Sequence, residues 1–275
     1  MALITMDEIE GISPVFKGRF GHGLANCMLK MTGIDQLAER YARHEDLEGP
    51  DFVKAYLDDL GMTYQVDGLD HLKPVLNTPF ITISNHPYGA IDGLIMIDLF
   101  GHLRDDYKVM ANKFLSMAKT IKDEFITVQP TTNDSEGVAK ESLAGVLQAM
   151  RHVMAGHPLG LFPAGAVSDF SYKDRCVRDR AWQEPAIRLI QKMQVPVVPV
   201  CFFGQNSNFF YFLGLISWKI RTLRLPREIL NKKDKHLKLG IGPVITVEEQ
   251  DQCGTIEDLG ILLRSSVYDL KRVNK

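Results

Sequence analysis

Apolar residues recur along this chain in two rhythms. Up to residue 62 the spacing is helical. Phe52, Val53, Tyr56, Leu57 and Leu60 fall at i, i+1, i+4, i+5 and i+8, one face of an amphipathic helix that Gly61 ends. A second helix is expected behind Asp35 with Leu37 and Tyr41 inward, and Phe16 and Phe20 point to a third. From residue 63 short apolar runs alternate with helical faces. Residues 64–66, 79–84, 108–111, 125–128, 159–162, 195–203 and 237–241 read as strands. Between them, residues 92–100 are apolar almost all round and predict a buried helix. Val138, Leu143, Val146, Leu147, Met150 and Met154 mark the inward face of another, with Asp134 or Ser135 as N-cap and Gly156 as stop. Residues 182–193 and 258–273 supply two more helices. The alternation predicts an α/β fold. A largely parallel central sheet is flanked by helices, with an N-terminal helical cap over residues 1–62 and one structural unit over residues 63–275.

Composition narrows the function. A chain of 275 residues can bury a sizeable core without disulfides or metals. The net charge of -2 gives no reason to expect nucleic acid as a partner. Cys27, Cys176, Cys201 and Cys253 are scattered, without a CxxC pair or zinc spacing, and read as free thiols of a reducing compartment. Residues 1–11 carry acids and lack the apolar stretch of a signal peptide. No uninterrupted run of about 18 apolar residues is present to span a bilayer. The expectation is a cytoplasmic protein that can rest on a membrane surface. Walker, GxGxxG, GxSxG and HExxH motifs are absent, so no cofactor or metal is expected. His152 and His157, i and i+5 across a helix end, make a poor metal pair.

Candidate chemistry concentrates in residues 79–97. The apolar run Phe80 to Ile83 delivers Ser84, Asn85 and His86, then Pro87 and Gly89, then Asp92 at the head of an apolar helix. Positions i and i+6 do not share a helix face at 100° per residue. His86 and Asp92 therefore meet only if the segment between them is a turn, which Pro87 and Gly89 favour. Asp92 would then hold one ring nitrogen of His86 and leave the other to take a proton. The residues alone also fit a satisfied histidine at a strand end and a carboxylate helix cap.

Asn85-His86-Pro87-Tyr88-Gly89-Ala90-Ile91-Asp92-Gly93 resembles the first motif of the glycerolipid acyltransferases of the phosphatidic-acid-forming type. In most of that superfamily four residues separate His from Asp. Five separate them here, which is similar to the branch called hemolysin-like, with its O-acyltransferases for ornithine, glycine and related amino-acid lipids. Further blocks follow in the superfamily's order: Met110-Ala111-Asn112-Lys113, Phe162-Pro163-Ala164-Gly165, Val195-Pro196-Val197-Val198-Pro199, and Gly204-Gln205-Asn206-Ser207. The resemblance covers roughly residues 65–245. It implies catalysis by His86 with Asp92 as its partner. Asn85, Gly89, Asn112, Lys113, Phe162, Pro163, Ala164, Gly165, Asn206 and Ser207 become candidate substrate contacts. The small turn at Pro163, Ala164 and Gly165 would let substrate approach backbone and direct N–H groups at an oxyanion.

One departure bears on the acceptor. Where phosphatidate-forming enzymes carry Glu followed by Thr-Arg-Ser, this chain has Ala164 and then Ala166-Val167-Ser168. The phosphate-holding Arg is missing, unless Arg175 or Arg178 folds back to replace it. By resemblance the reaction is acyl transfer from an acyl thioester, on acyl carrier protein or coenzyme A, to a hydroxyl of an N-(3-hydroxyacyl) amino-acid lyso-lipid. A lysophosphatidate acyltransferase is the alternative in the same class, and a non-catalytic hemolysin-like membrane protein the alternative from another.

Residues 209–218 are dense in aromatic and apolar groups, and a basic run follows. Phe209, Phe210, Phe212, Trp218, Lys219, Arg221 and Arg224 are the expected contacts with an anionic bilayer, the inner leaflet of the membrane. The other reading of the stretch is a core helix followed by a solvated basic loop.

Overall fold

Each of the seven apolar runs forms a strand. A computed structural model describes residues 18, 30, 32–112, 118–128 and 136–273. The strands are β1 (Thr63–Asp67), β2 (Ile81–Ser84), β3 (Lys108–Asn112), β4 (Phe125–Val128) and β5 (Leu159–Leu161), a hairpin β6 (Asp169–Ser171) and β7 (Cys176–Arg178), then β8 (Val197–Phe202) and β9 (His236–Ile241). The sheet order is β1-β9-β8-β2-β5-β3-β4. β8, β2, β5, β3 and β4 run one way. β9 lies antiparallel to β8 and parallel to β1, so this edge pair runs opposite to the other five. The sheet is thus mixed and mostly parallel.

Alternation sorts the strands' side chains between two faces. On one face Val198, Val200 and Phe202 of β8 join Val109 and Phe80. That face is covered by α1 (Ile34–Ala42), α2 (Gly49–Asp59) and α3 (Ala90–Leu103). On the other, Ile81, Ile83, Val197 and Cys201 pack beneath α4 (Glu136–Met154), α5 (Glu184–Met193) and the closing helix, with Ile187, Ile190, Leu259 and Leu263 inward. α3 is buried on nearly every side because it lies between β3 and α2, in keeping with apolar residues on nearly all its faces. The remaining α-helices among the described residues are α6 (Asn208–Ile216), α7 (Trp218–Leu223), α8 (Leu225–Leu230), α9 (Val247–Asp251) and α10 (Ile256–Val273).

Several expectations need correction. The inward face of α4 is Val146, Ala149, Met150 and Val153, whereas Leu143, Leu147 and Met154 are exposed. Gly145 explains the offset. A Cβ there would stand 2.2 Å from the Thr127 carbonyl oxygen. The helix therefore rests on β4 through its small residues, and the larger ones at its flanks lose contact. The hairpin β6–β7 carries no apolar alternation long enough to announce itself. The helix expected from Phe16 and Phe20, and the N-cap at Asp134 or Ser135, lie outside the described residues. Cys176, Cys201 and Cys253 are free thiols.

Candidate active site

The chain leaves the sheet after Ser84, at the carboxyl edge of the parallel strands, where α/β sheets gather their ligands. The blocks around Asn112, Phe162 and Phe203 leave the same edge from β3, β5 and β8. β8 and β5 are the two neighbours of β2, so three of the sequence motifs meet around His86.

Gly89 makes the turn. Its φ of 84° and ψ of -125° belong to a region that residues with a Cβ avoid. Leu225 and Val167 also close on the place a Cβ would occupy, at 3.1 and 3.3 Å. The turn lays Asp92 in the first turn of α3, where its Oδ2 accepts the Tyr88 and Gly89 N–H groups at 2.9 and 3.0 Å. His86 Nδ1 lies 3.0 Å from the same oxygen. The five-residue spacing closes because the intervening segment is not helical. Asp92 is fully buried, and the His86 side chain keeps 17% of its surface open. Burial pushes the Asp92 carboxyl above the usual carboxylate range, while His86 and the two amides pull it back. In this contact Nδ1 faces the carboxylate and Nε2 is turned away from it.

The backbone of His86 is held from the far side. Its N–H donates to Asp179 Oδ1 at 3.2 Å, and its carbonyl accepts the Ser168 N–H at 2.9 Å. Ser168 Oγ donates to the same Asp179 oxygen at 2.5 Å, and Trp182 Nε1 to the other at 3.2 Å. Asp179 is itself buried and anchored, its N–H to the Tyr268 hydroxyl and its carbonyl to Arg264. Sequence reasoning missed Asp179, because it sits between Arg178 and Arg180 and looks like one charge of a solvated loop.

Phe162 is beside His86: its ring centroid is 4.2 Å from that of His86 at 38°. Pro163 and Ala164 are buried behind it. The Gly165 N–H donates to the Phe162 carbonyl at 2.9 Å, closing a tight turn. It is therefore committed within the protein, and the expected oxyanion donor is not found at Gly165. Ser84, a minor candidate nucleophile by its position, is fully buried.

Other residues expected to contact substrate are engaged in hydrogen bonds within the protein. Both ends of the Asn85 amide are used by Phe202, whose carbonyl accepts at 2.9 Å and whose N–H donates at 2.7 Å. This clasps β2 to β8 just before the His86–Asp92 turn. Ser207 caps α6 through the Phe210 N–H and donates to buried Glu228 at 2.7 Å. Asn206 is buried between the Tyr88 carbonyl, 3.4 Å from its Nδ2, and Lys232, whose Nζ donates to its Oδ1 at 3.1 Å. Lys232 also stands 5.2 Å over the Tyr88 ring. Burial lowers its pKa, with Glu228 pulling upward. Arg175 is exposed in the hairpin turn, and Arg178 pairs with Asp174 at 2.9 Å and stacks over Tyr268. Asn112 ends β3. Lys113 lies outside the described residues.

The expected bilayer contacts divide. Phe209, Phe212 and Trp218 are exposed. Phe210 is fully buried and Arg221 nearly so, because α6 and α7 fold against each other and Arg221 lies over the Phe210 ring. Arg221 pairs with Asp169, Arg224 stacks over Phe209, and Lys219 lies in the first turn of α7.

Among the described residues no helix is long and apolar enough to cross a membrane. Two curated relatives are each 27% identical to this chain. One, a lyso-glycine lipid O-acyltransferase of Bacteroides thetaiotaomicron, aligns over 90% of this chain and 89% of its own length. The other, a lyso-glycine lipid O-acyltransferase of Phocaeicola vulgatus, aligns over 81% and 78%. The crystal structure of the 1-acyl-sn-glycerophosphate (LPA) acyltransferase PlsC from Thermotoga maritima superposes with a TM-score of 0.49 at 14% identity, over 82% of this chain and 81% of that one. The acyltransferase family model matches residues 18–274. With nearly the whole described chain inside that match, the protein belongs to the acyltransferase family and is an acyltransferase.

Proposed function

We propose that the enzyme acylates the hydroxyl of a lyso-glycine lipid, an N-(3-hydroxyacyl) amino acid, using an acyl thioester of acyl carrier protein or coenzyme A. It does so as a peripheral protein on the cytoplasmic face of the membrane. His86 Nε2 takes the hydroxyl proton as the oxygen attacks the thioester carbonyl. Asp92 keeps Nδ1 protonated and offsets the charge of the imidazolium. The tetrahedral intermediate collapses, the C–S bond breaks, and the imidazolium returns its proton to the departing thiolate. One ester forms and one thioester is consumed, so the transfer needs no cofactor beyond its two substrates. Among nucleophilic side chains, Ser84 is shut away behind the turn, which favours direct attack over an acyl-enzyme.

The observation that carries this reading is the 3.0 Å contact of His86 with buried Asp92 in a chain whose relatives act on lyso-glycine lipid. The positions of Arg175 and Arg178 favour it over lysophosphatidate. Offering purified enzyme a labelled acyl thioester with lyso-glycine lipid or lysophosphatidate tests the choice. Labelled ester on the glycine lipid is expected; turnover of lysophosphatidate alone would overturn it.

A further inference from the structure

The catalytic edge of the sheet carries an unusual surface. α6 and α7 grow from the end of β8, and the hairpin β6–β7 from the end of β5, on either side of the strand that bears His86. Phe212, Ile216, Trp218 and Leu223 project from the two helices with half or more of their surface open. Phe170 and Tyr172 project from the hairpin, their rings edge to face at 5.6 Å. The Arg221–Asp169 ion pair ties helix to hairpin, and α6 packs directly on β6. Two elements distant in sequence thus present one apolar face. Half-exposed side chains of this size sum to on the order of 600 Å², the upper end of what a monomer leaves open.

Charge says what covers it. Residues 208–227 hold Lys219, Arg221, Arg224 and Arg227 and no acid, in a chain of net charge -2; Arg221 is spent inside the fold on Asp169, while Arg224 and Arg227 are partly exposed. The hairpin turn adds Lys173 and Arg175 against Asp174. Aromatics flanked by cations suit the headgroup region of an anionic bilayer, where rings sit at the acyl boundary and basic groups meet phosphate. We propose that α6, α7 and the β6–β7 hairpin together form the surface by which this enzyme docks on an anionic membrane. The hairpin is as much a part of it as the helices. Docked this way, the edge that bears His86 faces the bilayer from which a lipid acceptor would come. This inference rests on reading the acceptor as a membrane lipid.

Co-sedimentation with vesicles, without substrate, tests it. Wild-type protein should partition onto vesicles of phosphatidylglycerol and phosphatidylcholine more than onto phosphatidylcholine alone, and less as salt rises. Phe170→Ser with Tyr172→Ser, and separately Phe212→Ser with Trp218→Ser, should each weaken partition by about tenfold. Thermal unfolding checks that these exposed substitutions leave the fold intact. Vesicles with brominated acyl chains should quench tryptophan emission in the wild type and not in Trp218→Phe. Failure of the wild type to sediment, variants that sediment like it, or the absence of quenching would overturn the surface. If a wild type that sediments nevertheless fails to acylate detergent-dispersed lyso-glycine lipid, the proposed function falls and the docking surface stands.

Discussion

At the scale of single residues, the site depends on one carboxylate oxygen. Asp92 Oδ2 gathers His86 and the amides of Tyr88 and Gly89 within about the same distance, and this convergence requires the Gly89 conformation. Gly89→Ala should cost about 1–3 kcal/mol in stability from backbone strain. It should also lower kcat with little change in KM, because His86, the proposed base, is displaced while the rest of the site stays. A thermal unfolding curve and steady-state kinetics on the same variant check both effects. The His–Asp pairing was legible through the family resemblance of residues 85–93, since the spacing of six by itself required only that a turn lie between the two if they meet. The roles of Asn85, Asn206 and Asp179 were not. Their partners Phe202, Tyr88 and His86 lie 117, 118 and 93 residues away. Nothing local distinguishes a polar group used by the fold from one left for substrate.

Among the elements, two features fix where the strands end. One is the clasp at the start of β3. Arg104 grips Asp106 at 2.8 and 2.6 Å, and His157 reaches it at 2.6 Å. Arg104 also donates to the Leu76 and Gly156 carbonyls, so the ends of α3 and α4 are joined. Partial burial works against the Asp106 charge, but Arg104 and His157 outweigh it and hold the carboxyl down at about 2. A folded-state value below the ordinary 3.8 means that its contribution is present above pH ~4 and is lost as pH falls to about 2. Solvent reaches the pair, so about 1 kcal/mol at most is expected. Asp106→Asn should therefore be less stable than wild type at pH 7 in urea titrations, and the gap should narrow below pH ~4 and close at about pH 2. The second feature is Gly145 against β4. Gly145→Ala forces a Cβ onto the Thr127 carbonyl and should cost about 1–3 kcal/mol, measured by the same titrations. Strand positions could be read from apolar runs to within a residue or two. The face of α4 could not, because close approach through small residues leaves no hydrophobic signal.

For the molecule as a whole, the fold brings four sequence blocks to one edge of a mixed, mostly parallel sheet. The order of the strands was not legible, since periodicity reports faces and not neighbours. It is that order, β8-β2-β5, that sets Phe162 beside His86 and places the aromatic helices and the hairpin on opposite flanks of the same strand. The central claim is that His86 is the base of an acyl transfer to a lipid hydroxyl. The most direct measurement is the rate of ester formation from an acyl thioester and lyso-glycine lipid, followed by mass spectrometry of the lipid for wild type and His86→Ala side by side. Wild type should form the diacylated lipid and release thiol in equal amounts. The variant, with an unchanged unfolding transition, should be slower by about 10²–10⁴-fold. Ester formation at the wild-type rate by His86→Ala would contradict the account.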